Sequence, residues 1–232
     1  MDMQNQIAFL DKVREIKSSG CQRCPDLAEI RTNIVVGKGN QNADTLIIAQ
    51  GPGNQEDNQG LPFVGPAGKL LHSIISSAGY NSESDFYFSN VTYCHTPGNS
   101  KPTATHLHNC SGYVRSVTAP FKKIVALGAS AVEGVLSIWG REHLAKASLS
   151  MGSILTKGTP IELSSGKSLF ICYHPSFLLR NQMTGPQFEE YNLLLNEIKQ
   201  AKLYQQNLAN KNTGSDNLVL RTFSSGGDVS LF

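Results

Sequence analysis

Between residues 3 and 18, Ile7, Leu10, Val13 and Ile16 recur at helical spacing among Lys12, Arg14, Glu15 and Lys17, and Gly20 ends the pattern. A first helix is predicted there. The next apolar stretch is continuous: Thr45-Leu46-Ile47-Ile48-Ala49 runs directly into Gly51-Pro52-Gly53, the signature of a buried strand stopped by a turn. Residues 67–78 return to helical spacing, with Leu70, Leu71, Ile74 and Ile75 on one face and Gly79 as the stop. A second strand is predicted over 86–91, a helix over 105–117, and a third strand over 123–127 closed by Gly128. A helix near 130–136 follows, then a fourth strand over 169–173 that ends at His174-Pro175. The last helix, 186–203, carries Phe188, Tyr191, Leu194, Leu195 and Ile198 at helical spacing.

Short apolar strands alternating with helices imply an α/β fold whose parallel sheet is covered on both faces. Ligands of such sheets bind beyond the carboxyl ends of the strands. Three of those ends carry unusual chemistry: Gln50-Gly51-Pro52-Gly53, Asn90, and His174-Pro175-Ser176. From about residue 205 to 227 the chain turns polar and loses periodicity, so residues 1–203 are expected to form the domain and 204–232 a flexible tail. No internal repeat is visible.

Apolar residues make up 40% of the 232 and charged residues 16%, which suits a globular chain. The formal net charge of +2 gives no argument for a nucleic-acid partner, although a local basic cleft fits within that balance. No apolar run approaches the ~18–20 residues that span a bilayer. Residues 1–10 lack the cationic start of a signal peptide, so a soluble, intracellular (cytoplasmic) protein is expected. Five cysteines in a reducing compartment point to metal binding, catalysis or burial rather than disulfides.

Cys21 and Cys24 form a C-x2-C, while Cys94 and Cys110, with 15 residues between them, follow beyond a gap of 69. Four thiolates can hold zinc or an iron–sulfur cluster, and this wide spacing matches no common zinc pattern. Two unrelated buried pairs compete with the metal reading. Cys172, inside Phe170-Ile171-Cys172-Tyr173, reads as a small buried hydrophobe.

Several segments, in order and spacing, resemble family-four uracil-DNA glycosylases, the thermophile-type enzymes. They are Arg31-Thr32-Asn33-Ile34-Val35-Val36-Gly37, the glycine-proline run from Gly51 through Glu56-Asp57 and Pro62-Phe63-Val64-Gly65 to Leu71, Asn90-Val91 before Cys94, Pro97-Gly98-Asn99, Ala126-Leu127-Gly128, and His174-Pro175-Ser176. The likeness covers roughly residues 5–200. It implies a three-layer sandwich around a four-stranded parallel sheet. It also implies a [4Fe–4S] cluster on Cys21, Cys24, Cys94 and Cys110, with a structural role.

By the same resemblance, Phe63 stacks on a uracil rotated out of the DNA, Asn90 reads its edge, and Gly51, Pro52, Gly53 and Asp57 complete the substrate side. His174 donates a hydrogen bond to the departing uracil, and Asn99 orients a water. Ser176, Leu178, Leu179 and Arg180 belong to the segment that grips the DNA backbone and fills the vacated stack. The reaction implied is simple hydrolysis, because the basic Lys-Arg-Arg-Ile-His insertion of covalently trapping relatives is absent and no lysine is placed for lyase chemistry.

One position departs from the family. The usual Gly-Glu-Ala-Pro-Gly reads Ala49-Gln50-Gly51-Pro52-Gly53, so a carboxylate is replaced by an amide that cannot act as a base. This keeps two other readings open: a weakened DNA-binding accessory of replication, and a glycosylase for another deaminated base. The chain closes with Asp228-Val229-Ser230-Leu231-Phe232, which resembles peptides that dock DNA enzymes on the sliding clamp, with Leu231 and Phe232 as anchors. A monomer is expected.

Overall fold

The computed structural model describes residues 2–140 and 160–212, with side chains described as far as residue 204. The chain divides into two compact units, Met1–Lys202 and Leu203–Phe232. The first holds the whole sheet. Helix α1 (Met3–Ser18) starts where the Asp2 carboxylate accepts the Asn5 N–H at 2.8 Å. Helix α2 (Pro25–Ile30) follows with proline at its first position, where a missing N–H costs nothing.

Four strands run parallel at the centre: β2 (Thr45–Ala49), β3 (Phe86–Asn90), β4 (Lys123–Leu127) and β6 (Ser168–Cys172). Each is buried along its full length, as a continuous apolar run covered on both faces requires. Among the described residues the sheet has six strands rather than four. Two edge strands, β1 (Gly37–Gly39) and β5 (Ile161–Glu162), add antiparallel to give the order β1-β3-β2-β4-β6-β5. They are too short to leave an apolar pattern in the sequence.

Between β2 and β3 the chain makes α3 (Asn54–Gln59), α4 (Pro66–Ser77) and α5 (Ser82–Asp85). Helix α6 (Ala104–Thr118) leads to β4, and α7 (Ala129–Trp139) leaves it. A short α8 (Pro175–Arg180) and a long α9 (Glu189–Asn212) finish the described chain. Helix α9 was expected to stop near 203. It continues to Asn212 because Gln205, Gln206, Leu208 and Ala209 are all good or tolerable helix formers. The rest of the expected tail, with Leu231 and Phe232, lies outside the described residues.

Alternation along the strands divides the core. Leu46, Ile48, Ile124, Ala126, Leu169 and Ile171 join one cluster with Phe9 and Val13 of α1, Val114 and Val117 of α6, and Val135 of α7. Phe88 points to the other face, where it meets the rings of Phe63 and His72 at 5.4 and 5.3 Å. Helix α4 sits there, and α8 packs on α4. Each fully buried Ile, Leu or Phe stabilises the fold by about 1.5–3 kcal/mol, so the layers are held mainly by these two apolar faces.

The amino ends of the strands are tied by charge. Lys123, opening β4 with 1% of its side chain exposed, meets Asp44 at 2.6 Å, and Lys202 reaches the same carboxylate at 3.2 Å. Burial pushes Asp44 up, but its bonds from Lys123 and Thr45 and the Lys202 charge bring it below its ordinary value. Among the described residues, no helix is long and apolar enough to cross a membrane.

Candidate active site

The carboxyl end of β2 opens into Gln50-Gly51-Pro52-Gly53, and neighbouring loops close upon it. The Gln50 carbonyl accepts the N–H and the hydroxyl of Thr92 at 3.1 and 3.0 Å. A Cβ on Gly51 would lie 2.6 Å from the Thr92 hydroxyl oxygen, so the alanine that the family usually carries here would require that side chain to shift. His95 holds the turn from the other side through Nδ1, 3.0 Å from the Pro52 carbonyl. The Gln50 amide spans two elements, donating to the Ser100 carbonyl at 3.0 Å and accepting from the Ser130 hydroxyl at 2.9 Å.

Two acidic residues follow the turn. One oxygen of Glu56 takes the N–H groups of Val64 and Gly65 at 2.9 and 2.7 Å. Its second oxygen faces Gly53, 2.7 Å from where a Cβ would stand, and the Asn99 side-chain oxygen lies 3.4 Å from the same point. Asp57 is 3% exposed, and its two oxygens take the backbone N–H groups of Thr32 and Asn33 at 2.8 and 3.1 Å. Its carboxylate thus anchors the 31–33 loop.

Phe63 is buried in a left-handed conformation, φ 56°, which is uncommon for a bulky residue and is held here by its surroundings. Its backbone lies against Gly68 of α4, where a Cβ would come within 2.2 Å of the Phe63 oxygen. His72, one turn on, donates through Nε2 to that same oxygen at 3.2 Å. A carbonyl only accepts, so the His72 proton sits on Nε2 and Nδ1 is left buried without a partner. Burial, helped by the Lys38 charge, lowers the His72 pKa and keeps the ring neutral.

Asn90 ends β3 with 3% of its surface exposed, and its carboxamide has no hydrogen-bond partner among the described residues. The buried side-chain polar atoms without a partner among the described residues are instead His72 Nδ1 and the Tyr93 hydroxyl, so the Asn90 amide keeps some contact with solvent.

His174 follows β6 and caps α8. Its Nδ1 accepts the Ser176 backbone N–H at 3.1 Å and lies 2.8 Å from the Ser176 hydroxyl. A backbone N–H only donates, so the ring proton resides on Nε2, which has no described partner. Desolvation, then the Arg180 charge, lowers the His174 pKa to about 4. The site therefore presents a neutral N–H donor. Arg180 donates to the Ser176 oxygen at 3.2 Å, completing the chain Arg180–Ser176–His174. Gly128 (φ 81°), after β4, makes room for His174, whose Cβ is 3.2 Å from the position of a Cβ there.

The segment past His174 does not present all its side chains outward. Leu178 is fully buried, Leu179 is half-buried and Arg180 is exposed. Tyr173 and Phe177 stack at 5.0 Å.

Adjoining this site through Thr92, Cys21, Cys24, Cys94 and Cys110 line one cavity whose empty space, mouth included, is about 340 Å³. Arg31 donates to the Cys94 sulfur and Asn109 to the Cys24 sulfur, both at 3.5 Å. Burial raises the thiol of Cys94 and pushes that of Cys110 up to about 12. No three His, Cys, Asp or Glu side chains among the described residues are close enough together for a single metal ion. Cys172 is fully buried in β6, as expected of a structural cysteine.

Comparison with known proteins decides the family. The profile of the Uracil DNA glycosylase superfamily matches residues 36–199. The Type-4 uracil-DNA glycosylase of Thermotoga maritima is 35% identical over 186 residues, covering 79% of this chain and 88% of the relative. That of Archaeoglobus fulgidus is also 35% identical, over 182 residues, 77% and 87% of the two chains. The Type-4 enzyme of Pyrobaculum aerophilum is 32% identical over 187 residues.

This chain is a type-4 member of the uracil-DNA glycosylase superfamily.

Within that superfamily framework, the fold gathers Gln50, Gly51, Pro52, Gly53 and Asn99 around one turn. Phe63 sits on the Phe88 side of the sheet, and Asn90 and His174 follow the ends of β3 and β6. The sequence reading missed His72, Thr92, His95 and Ser130, and gave Glu56 no definite role. His72 alone carried a signal, as a polar residue one turn beyond Gly68 in an apolar helix.

Proposed function

We propose that this protein excises uracil from DNA by hydrolysis, leaving an abasic site. The observation that carries the reading is the His174 ring, neutral and committed at Nδ1, with Nε2–H left to donate. Cleavage of the bond between N1 of uracil and C1′ of the sugar sends the electron pair into the base, and negative charge collects on its carbonyl oxygens. A fixed donor aimed at that charge stabilises the transition state without reorganisation. Removing one such donor typically costs about 10²–10³ in rate.

The other residues divide the remaining work. The target nucleotide must leave the stack, at a cost of a few kcal/mol. The Phe63 ring stacks on it and the unpaired Asn90 carboxamide bonds its donor–acceptor edge. The Gly51-Pro52-Gly53 turn lets the base approach the backbone closely. Asn99 orients the water that attacks C1′, and the free oxygen of Glu56 is the nearest carboxylate to that turn. Asp57 supports the substrate side indirectly, through the 31–33 loop. Ser176 and Arg180 meet the phosphate backbone. Leu178 is enclosed by the fold, so Leu179 is the leucine placed to enter the vacated stack.

Cys21, Cys24, Cys94 and Cys110 hold a [4Fe–4S] cluster, in which each iron takes one thiolate. Four thiols lining one cavity, in a spacing that matches no common zinc pattern, support a multi-iron group, and the two N–H···S contacts are of the kind that tune such sulfurs. The cluster supplies a structural tie between the N-terminal segment and the β3–α6 region. Leu231 and Phe232 dock on the sliding clamp, and the enzyme works as a monomer.

The test is release of free uracil from single- and double-stranded oligonucleotides containing one uracil, by wild type and His174→Ala. Release by wild type that falls about 10²-fold or more in the variant supports the assignment. Intact DNA binding with no release from either substrate overturns it and leaves the accessory reading.

A further inference from the structure

We propose that His95 is a positioning residue: its ring Nδ1–H fixes the plane of the Pro52–Gly53 peptide, and with it the residue on which Glu56 and Asn99 converge. The inference rests on the glycosylase reading and deepens it.

His95 Nδ1 lies 3.0 Å from the Pro52 carbonyl. A carbonyl only accepts, so the ring carries its proton on Nδ1. In a trans peptide the carbonyl and the following N–H point to opposite edges of one plane. A donor held on the Pro52 oxygen therefore sets the direction of the Gly53 N–H, which has no hydrogen-bond partner among the described residues. The bond also polarises that peptide and strengthens the N–H as a donor. Two side-chain oxygens close on Gly53: a Cβ there would lie 2.7 Å from one of Glu56 and 3.4 Å from that of Asn99.

This peptide needs a clamp. Turning over the plane between a proline and a glycine interconverts two ordinary turn types, and glycine removes the steric barrier on its side. Such a flip exchanges the places of an N–H and a carbonyl oxygen, and so trades a donor for an acceptor beside the residue that Glu56 and Asn99 approach. The preceding plane of the turn is held separately, since the Gln50 carbonyl takes the Thr92 N–H and hydroxyl at 3.1 and 3.0 Å. Among the described residues, no donor besides His95 reaches the Pro52 carbonyl.

The clamp is firm on its own side. Tyr93 is buried, and its carbonyl accepts the Val35 N–H at 2.8 Å. Arg31 donates to the Cys94 sulfur at 3.5 Å. Thr96 is buried and its hydroxyl donates to the Ser100 carbonyl at 2.7 Å. The half-buried His95 ring thus reaches the turn from a backbone that is already ordered. A second tie runs the other way: Asp57, on the helix after the turn, holds the Thr32 and Asn33 N–H groups next to Arg31. The turn and the cysteine segment are therefore joined on both sides, and His95 is the direct link.

The experiment compares single-turnover uracil release by wild type, His95→Leu and His95→Asn. Leucine keeps bulk without a donor, whereas the asparagine amide nitrogen stands as many bonds from Cβ as Nδ1 does. DNA affinity, iron content and amide hydrogen exchange of residues 50–57 are followed in parallel. The expected result for His95→Leu is a loss of roughly ten- to a hundredfold in the maximal rate, with DNA affinity and iron content unchanged. Exchange becomes faster across residues 50–57 and stays as in wild type in β6. His95→Asn recovers most of the rate and the slow exchange.

A His95→Leu enzyme as fast as wild type overturns the proposal. So does an equal loss in the two variants, or a loss in His95→Leu with exchange over residues 50–57 unchanged, since the donor then does not set the turn. Failure of both variants to fold or to retain iron overturns it as well, by assigning His95 a purely structural role. If wild type releases no uracil, the glycosylase reading itself fails, while exchange over residues 50–57 still decides whether His95 holds the turn, so the two failures are distinguished.

Discussion

The Nδ1 of His174 accepts the backbone N–H of Ser176 at 3.1 Å, and this one bond decides which ring nitrogen faces the substrate. Nitrogen-15 NMR is expected to show His174 as the Nε2–H tautomer with no titration near the ordinary value of about 6.5. Uracil release should show no inflection there either. The folded pKa, about 4, lies below the unfolded one, so the unfolded chain binds more protons between the two. Stability from this residue is complete above the unfolded value and is lost as pH falls toward the folded one. A His174 resonance titrating near 6.5 in the folded protein would contradict the assignment.

The Phe63 conformation is set by Gly68 and His72. Gly68→Ala brings a methyl into the Phe63 carbonyl, with backbone on both sides and little room to yield. It should destabilise the protein by about 1–3 kcal/mol in urea unfolding and weaken use of uracil-containing DNA. His72→Gln, which keeps a donor near Nε2, should retain more activity than His72→Leu. Equal activity in those two would show that the bond to Phe63 does not matter.

Asp44 neutralises Lys123, which is enclosed at the start of β4. Asp44→Asn leaves that ammonium without its counter-charge. Breaking a fully buried pair costs about 3–5 kcal/mol, and about 2 is expected here because Asp44 keeps 39% of its side chain exposed. Its pKa is lowered on folding, so this stabilisation is present above the unfolded carboxylate value and is lost as pH falls through the folded one. Urea unfolding of wild type and Asp44→Asn should therefore converge in acid, with uracil release by the folded variant unaffected.

The cysteine cavity predicts about four irons and four sulfides per chain in protein purified without oxygen. Cys94→Ser should lower both and bleach the visible colour. Removing the iron should loosen residues 21–24 and 94–110, measured as faster amide exchange there than in β4. Zinc in place of iron, in protein never exposed to oxygen, would exclude the cluster.

The parallel strands were legible because each is a compact apolar run ending at a glycine, proline or polar stop. Gln50, Asn90 and His174 were legible for the same reason, as polar residues just where those runs end. The braces around them were not. Ser130 meets Gln50 across 80 residues of chain and Thr92 across 42, and no local pattern encodes such partners. Leu178 was read with the DNA-facing residues because a six-residue helix is too short to declare its inner face, and packing against α4 decided it. The Gln50 substitution looked like a missing base in the sequence; only its two hydrogen bonds show a side chain already committed.

The short edge strands have a consequence for the molecule in crowded surroundings. An open sheet invites further strands wherever its border exposes a row of unpaired amides and carbonyls. Here the borders are three residues, including charged Lys38, and two residues, including Glu162. Neither offers a template long enough for lasting strand addition. Self-recruitment into aggregates by strand addition is thereby disfavoured at both described margins.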